Sequence, residues 1–260
     1  MKKMCELFGF SGRRRIELNE YLKEFFSHSV EHPHGWGLTL LDRDNYSIEK
    51  EPVRAIDSRY LKERLRMPIV SSTMLAHIRL ATIGNLEWKN SHPFVGLDQS
   101  GRRWTLIHNG TIFDYQPMEK YVRQQNGDTD SERILLHLLD LMDRAYIKKG
   151  APLTAKERFD VLDRMVVEAS AGNKLNLLIY DEEMLYAHTN YKESLHQRTT
   201  EDGVLFSTQP LNKGVWEPLE FNTLLAYKNG EKIFVGTTHD NEYFVDPKKM
   251  ELLFLAYSGL

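Results

Sequence analysis

The chain holds one cysteine, Cys5, and a thiol this scarce and this close to the N-terminus is a candidate nucleophile. The ordinary alternative is a buried free cysteine acting as a small hydrophobe. A nucleophile needs a base, and a chain that begins at cysteine carries its own. The α-amino group, with a reference pKa of roughly 7.7 to 8, can relay the thiol proton near neutral pH. Asn109-Gly110 has two readings. It is either a hairpin turn, because both residues tolerate positive φ, or an oxyanion hole. In the second case the Asn109 side-chain NH2 and the Gly110 backbone N–H face the oxygen that becomes negative when a thiolate adds to a carbonyl. Losing one such donor costs about 2.7 to 4 kcal/mol of transition-state stabilisation.

Two charged residues complete the set. Arg79 interrupts the apolar strand end His77-Ile78-Arg79-Leu80-Ala81. It reads as half of a structural ion pair or as a planar fork that receives a carboxylate through two parallel hydrogen bonds. Asp130 follows Thr129 at a helix start, where the dipole favours an acid whatever its function. Facing a pocket, it would hold an ammonium, and Arg79 with Asp130 would read the two charges of an amino acid's backbone end. His32 and His34 flank Pro33 without further closely spaced ligands, so no metal site is expected. Trp36, between Gly35 and Gly37, reads as core packing with tight backbone approach.

The elements that must position these residues follow from periodicity. Residues 7–10 form a short buried strand ended by Ser11-Gly12, which puts Cys5 at a strand's beginning. Arg13-Arg14-Arg15 reads as a solvated surface turn, or as a phosphate contact. Leu18, Tyr21, Leu22, Phe25 and Phe26 recur at helical spacing and predict an amphipathic helix to about Val30. Strand character marks residues 36–41, 47–53, 69–77 and 104–108. Thr129-x-x-Glu132 and Thr154-x-x-Glu157 are capping-box signatures ahead of two apolar-periodic helices. Strands return at residues 174–180, 184–188, 204–207, 224–228, 231–235 and 243–245, with Asn229-Gly230 as a hairpin turn. Strands, paired helices, then strands predict two sheets with helices outside. No repeat or composition shift marks a boundary, so residues 1–260 are read as one domain.

Composition narrows the class. Apolar residues at 41% and charged residues at 27% suit a chain that buries a sizeable core. A formal charge of −3 supplies no field that would draw in nucleic acid or an anionic membrane. No stretch approaches the roughly 18 consecutive apolar residues of a membrane span, and the N-terminus lacks a signal peptide's apolar run. With one cysteine no internal disulfide forms, so a reducing, cytoplasmic location is the expectation.

Met4-Cys5-Glu6-Leu7-Phe8-Gly9, His32 to Gly37, His77-x-Arg79-x-Ala81-Thr82-x-Gly84, Ser91-His92-Pro93-Phe94, His108-Asn109-Gly110 and Thr129-Asp130-x-Glu132 together resemble the class II glutamine amidotransferase domain. The second half looks like that family's stand-alone members in residues 177–181, 187–188 and 206–211. The resemblance implies an α+β fold, the four-layer αββα Ntn-hydrolase sandwich of two mainly antiparallel sheets flanked by helices. It also implies hydrolysis of the glutamine side-chain amide through a γ-glutamyl thioester, without a cofactor. By the same resemblance Cys5 is the nucleophile and Asn109 with Gly110 the oxyanion hole. Arg79, helped by Thr82, grips the α-carboxylate, and Asp130 the α-amino group. Where synthase-linked members carry Trp and a second His after the arginine, this chain has Leu80 and Ile83. Met1 to Met4 precede Cys5, so start at Met4 with methionine removal, or propeptide cleavage, is expected. The chain ends where the resemblance ends, so ammonia is expected to pass to a separate synthase, unless the substrate is another γ-glutamyl compound. A non-catalytic relative that binds an amino acid or a partner protein is the rival reading. A redox thiol is a third, without a resolving cysteine. Residues 83–90 form a candidate lid.

Overall fold

Side-chain alternation along the first strand decides the architecture. In β1 (Glu6–Glu17), Leu7 joins an apolar cluster with Leu75, Ile107, Leu178 and Phe206, whereas Phe8 and Phe10 join another with Leu22, Phe25 and Trp36. A strand apolar on both faces must be covered on both. The computed structural model, which describes residues 5–81, 84–211 and 214–246, shows how.

After β1 come α1 (Asn19–Ser27), β2 (Trp36–Asp42), β3 (Asn45–Glu51), α2 (Arg59–Arg64) and β4 (Val70–Ile78). Then follow β5 (Phe94–Leu97), β6 (Arg103–Thr111), α3 (Asp130–Lys149) and α4 (Ala155–Ser170). The chain returns to strands with β7 (Lys174–Tyr180), β8 (Leu185–His188), β9 (His196–Thr199) and β10 (Gly203–Ser207), then β11 (Glu217–Pro218), β12 (Leu225–Lys228) and β13 (Glu231–Val235). One antiparallel sheet has the order β11-β9-β10-β1-β4-β2-β3, the other β13-β12-β8-β7-β6-β5. One apolar cluster lies between the first sheet and α1 with α2, one between the sheets, and one between the second sheet and α3 with α4. This is the αββα sandwich that the sequence implied. Among the described residues no helix is long and apolar enough to cross a membrane.

Several local readings change. The helix from Leu18 is α-helical only to Ser27 and tightens into a 3-10 turn over His28–Glu31. The Thr154–Glu157 box at α4 is reciprocal. At α3, Thr129 caps the Glu132 N–H, but the Glu132 carboxylate turns to the Asn126 and Gly127 N–H groups, both at 2.7 Å. Arg13 to Arg15 form no turn: β1 runs on through them, across the register shift against β4 between Ser11 and Ile16, and they pair with Glu231, Asp202, Asp44 and Asp42. Residues 243–245 are not a strand. Tyr243 is instead pinned by its N–H to Asn190 O and by stacking on Phe113, while Phe244 lies exposed. Asn109-Gly110 is no hairpin but the interior of β6, paired with Asn176 and Leu175 of β7. The Asn229-Gly230 turn is present, with both residues at positive φ.

Candidate active site

Cys5 stands one residue before β1, whose first residues pair with the end of β4, Glu6 opposite Ile78 and Leu7 opposite His77. The thiol therefore meets the segment leaving β4. Its Sγ lies 3.3 Å from both the carbonyl oxygen and the N–H nitrogen of Leu80, donating to the first and accepting from the second. That segment is itself held. The Arg79 N–H donates to Gly35 O at 2.8 Å, the His34 N–H donates to Arg79 O, and the Ala81 N–H donates to His34 Nδ1 at 2.8 Å. Gly35 has φ +142, a conformation L side chains rarely adopt, so its glycine lets the chain reach this pairing. On the other side of the thiol, the Thr208 Oγ1 accepts the Leu7 N–H at 2.8 Å and Gln209 donates to Glu6, which gives residues 206–211 their place. Glu6 is buried and also bonds His28 at 2.8 Å.

The Arg79 guanidinium is buried and donates through Nη2 to Gly84 O and through Nη1 to Asn85 O, each at 3.0 Å. Asn90 extends the link: its Nδ2 donates to Asn85 O and to Asp128, and its Oδ1 accepts the Asp128 N–H. The loop after Arg79 is thus bonded to the entry of α3. Asp130, the first residue of α3, accepts the Ile112 N–H at 2.8 Å and its neighbour Ser131's N–H at 2.9 Å. The helix start is in this way fixed beside the end of β6.

Asn109 and Gly110 lie on β6 beyond the last residue paired with β5, Leu106. The Leu175 N–H is taken by Asn190 Oδ1 and the Leu175 carbonyl by His188 Nδ1. Gly110 opposite Leu175 is therefore a non-hydrogen-bonded pair, and the alternation of the ladder turns the Gly110 N–H toward the edge that β5 leaves open. A Cβ at Gly110 would stand 1.9 Å from Lys174 O, so glycine is needed for the close approach of the two strands. The Asn109 side chain is buried, and its Oδ1 accepts from Lys174 Nζ at 3.3 Å. Among the described residues its NH2 meets no acceptor.

The charges bear on one sulfur. Burial pushes the Cys5 thiol's pKa up, a Leu80 backbone hydrogen bond and the charges of Arg79 and Lys174 pull it down, and the Asp130 carboxylate raises it, with a net rise. Cys5, Arg79, Asn109, Gly110 and Asp130 are thus brought to one end of the sandwich, where the two sheets meet. Thr82 and residues 1–4 lie outside the described residues, as does Ile83 of the candidate lid. Lys174 was not singled out from sequence. Its signal is a lysine opening an otherwise apolar strand, Lys174-Leu175-Asn176-Leu177-Leu178-Ile179-Tyr180. His108 bonds Ser131 and Lys174 O, a structural pairing.

A sequence profile described as Glutamine amidotransferases class-II matches residues 4–201, and the chain belongs to that family. It is an enzyme of the class II amidotransferase type. It is similar to an uncharacterised protein of Methanocaldococcus jannaschii, 28% identical over 259 residues, covering 89% of this chain and 71% of that one. It is also similar to a protein of Haemophilus influenzae named for glutamine amidotransferase, 26% identical over 276 residues, covering 91% and 89%. The glutamine phosphoribosylpyrophosphate amidotransferase of B. subtilis shares its fold, with TM-score 0.63 and 16% identity over 92% of this chain and 50% of that one.

Proposed function

We propose that the protein hydrolyses the side-chain amide of glutamine through a γ-glutamyl thioester on Cys5, releasing ammonia and glutamate. The observation that carries this reading is the convergence of a thiol, a guanidinium, a helix-start carboxylate and a strand-borne carboxamide at one end of the sandwich.

Freed of the residues ahead of it, Cys5 has an α-amine that takes the thiol proton. The thiolate adds to the amide carbon, and the resulting oxyanion accepts from the Asn109 NH2 and the Gly110 N–H. The ammonium then returns its proton to the nitrogen, the C–N bond breaks, and ammonia leaves. Water attacks the thioester in a second cycle over the same oxyanion hole. Arg79 donates to Gly84 O and Asn85 O, which fixes its guanidinium beside the thiol, and its planar fork suits an α-carboxylate. Asp130 holds two backbone N–H groups and keeps lone pairs for an α-ammonium. Thr82 joins Arg79 in this role by resemblance.

These contacts read the α-amino-acid end and the γ-carbonyl, which glutamine shares with every γ-glutamyl amide. The leaving amine is therefore the open variable, and another γ-glutamyl compound is the second substrate reading. Ammonia would pass to a synthase. A lone thiol without a disulfide partner supports action in the cytoplasm. The test is the mass of the native N-terminus together with release of glutamate from glutamine and from γ-glutamyl amides. A protein matured to Cys5 that turns over none of them overturns the proposal.

A further inference from the structure

A buried lysine beside the proposed nucleophile has a geometric task. Lys174 opens β7 opposite Thr111, two residues before Asn176, which stands opposite Asn109. Lys174 and Asn109 are therefore diagonal neighbours, a separation that a long side chain can span. Both project between the sheets, as Leu178 and Ile107 further along the same strands do.

A carboxamide has an acceptor end and a donor end, and a half-turn about its last bond exchanges them at little steric cost. An ammonium offers donors only, so the atom of Asn109 that meets Lys174 Nζ at 3.3 Å is the oxygen. The NH2 must then point the other way. Without that lock the oxygen could occupy the same place and repel a developing oxyanion. Lysine is almost never fully buried, and Lys174 is 3% exposed, with its ammonium 4.9 Å from the Tyr191 ring. Burial lowers its pKa to about 8, and the charge that favours its protonated form is that of Cys5.

We propose that Lys174 is a positioning residue of the amide hydrolysis: it fixes the Asn109 carboxamide with its NH2 toward the oxyanion and places a positive charge beside the Cys5 sulfur. This rests on the glutaminase reading above.

The experiment uses the protein matured to Cys5, with the variants Lys174→Met, Lys174→Gln, Asn109→Ala and the double variant Asn109→Ala/Lys174→Met. Three readouts are kcat and KM on glutamine, the pH midpoint of iodoacetamide reaction at Cys5, and thermal unfolding. Lys174→Met is expected to lower kcat on the order of 10- to 100-fold, short of the roughly 100- to 1,000-fold for loss of the donor itself, with KM little changed. In the Asn109→Ala background the same change should lower kcat by less than about 3-fold, since the two residues act as a unit. The alkylation midpoint should move up in Lys174→Met. In Lys174→Gln, whose NH2 can still donate to Asn109 Oδ1, kcat should recover in part while that midpoint stays up. Full kcat in Lys174→Met, or penalties that multiply in the double variant, overturns the positioning role. If the unaltered matured protein hydrolyses no γ-glutamyl amide, the functional reading falls by itself. The alkylation midpoint then still decides the electrostatic half of the proposal, because it needs no turnover.

Discussion

Asn109→Asp separates a catalytic carboxamide from a structural one. The substitution keeps shape and volume. The oxygen facing Lys174 Nζ at 3.3 Å remains, and the bond from the ammonium becomes an ion pair, so folding should be preserved or strengthened. Only the outward atom changes, from a donor to an acceptor that carries charge. Loss of the donor costs about 2.7 to 4 kcal/mol, or roughly 100- to 1,000-fold in kcat. A carboxylate facing the oxyanion adds repulsion, about 4 kcal/mol for unit charges 4 Å apart at an effective dielectric of about 20, of which the Lys174 ammonium cancels a part. The expected loss in kcat is therefore at least about 1,000-fold, with an unfolding midpoint at or above that of the parent. Asn109→Ala should lose less activity and more stability, because it leaves the buried Lys174 without its carboxamide acceptor, at about 1 to 3 kcal/mol. Glutamate release under saturating glutamine, with thermal unfolding alongside, reads both quantities. An Asn109→Asp protein within tenfold of the parent's kcat would refute the oxyanion assignment.

Gly110→Ala should destabilise the fold by about 3 kcal/mol or more and lower the unfolding midpoint by roughly 6 to 12 °C, since its Cβ would stand 1.9 Å from a backbone oxygen. Differential scanning calorimetry checks it. Arg158→Met should cost about 3 to 5 kcal/mol in urea unfolding, because it strands the buried Asp181 carboxylate now 2.6 Å from the guanidinium. Burial first and the neighbouring His239 second hold the His188 imidazole down to about 3, below its unfolded value. The unfolded chain therefore binds that proton more readily. The stability is intact above about pH 6.5 and falls as pH drops toward about 3, by about 1.4 kcal/mol per pH unit. Comparing urea midpoints of the parent and His188→Gln from pH 7.5 to 4.5 should give the parent the steeper acid loss, and equal slopes would sink the idea.

The strands that alternate or run apolar were legible in the sequence. Residues 174–180 and 231–235 begin and end where the periodicity predicted. Elements held by partners distant in the chain were not. β9 (His196–Thr199) is polar and half-exposed and exists because β10 pairs with it. α2 is capped by Ser58, whose Oγ accepts the Leu61 N–H, but it is six residues long and shows little period. Residues 243–245 are no strand because Tyr243 is held by stacking on Phe113 and an edge contact with Tyr191, not by a ladder. In the site, the types and order of Cys5, Arg79, Asn109, Gly110 and Asp130 were readable. Their roles remain proposals that the variants above can test. Lys174 is visible in the sequence only as a lysine opening a largely apolar strand, because its proposed task lies in a diagonal across β6 and β7. Glu132 likewise gave a capping signature whose carboxylate went to Asn126 and Gly127.

β1 is hydrogen-bonded on one side by β4 and on the other by β10 from its first turns of register, and Cys5 is the residue just outside it. The practical corollary concerns how the protein is made in the laboratory. An affinity handle fused ahead of Cys5 would convert the proposed base into an amide while leaving every strand in place, so such a preparation would look well folded and read as inert. A handle at the opposite terminus, or a cleavable leader whose protease leaves cysteine first, is the preparation on which activity should be judged.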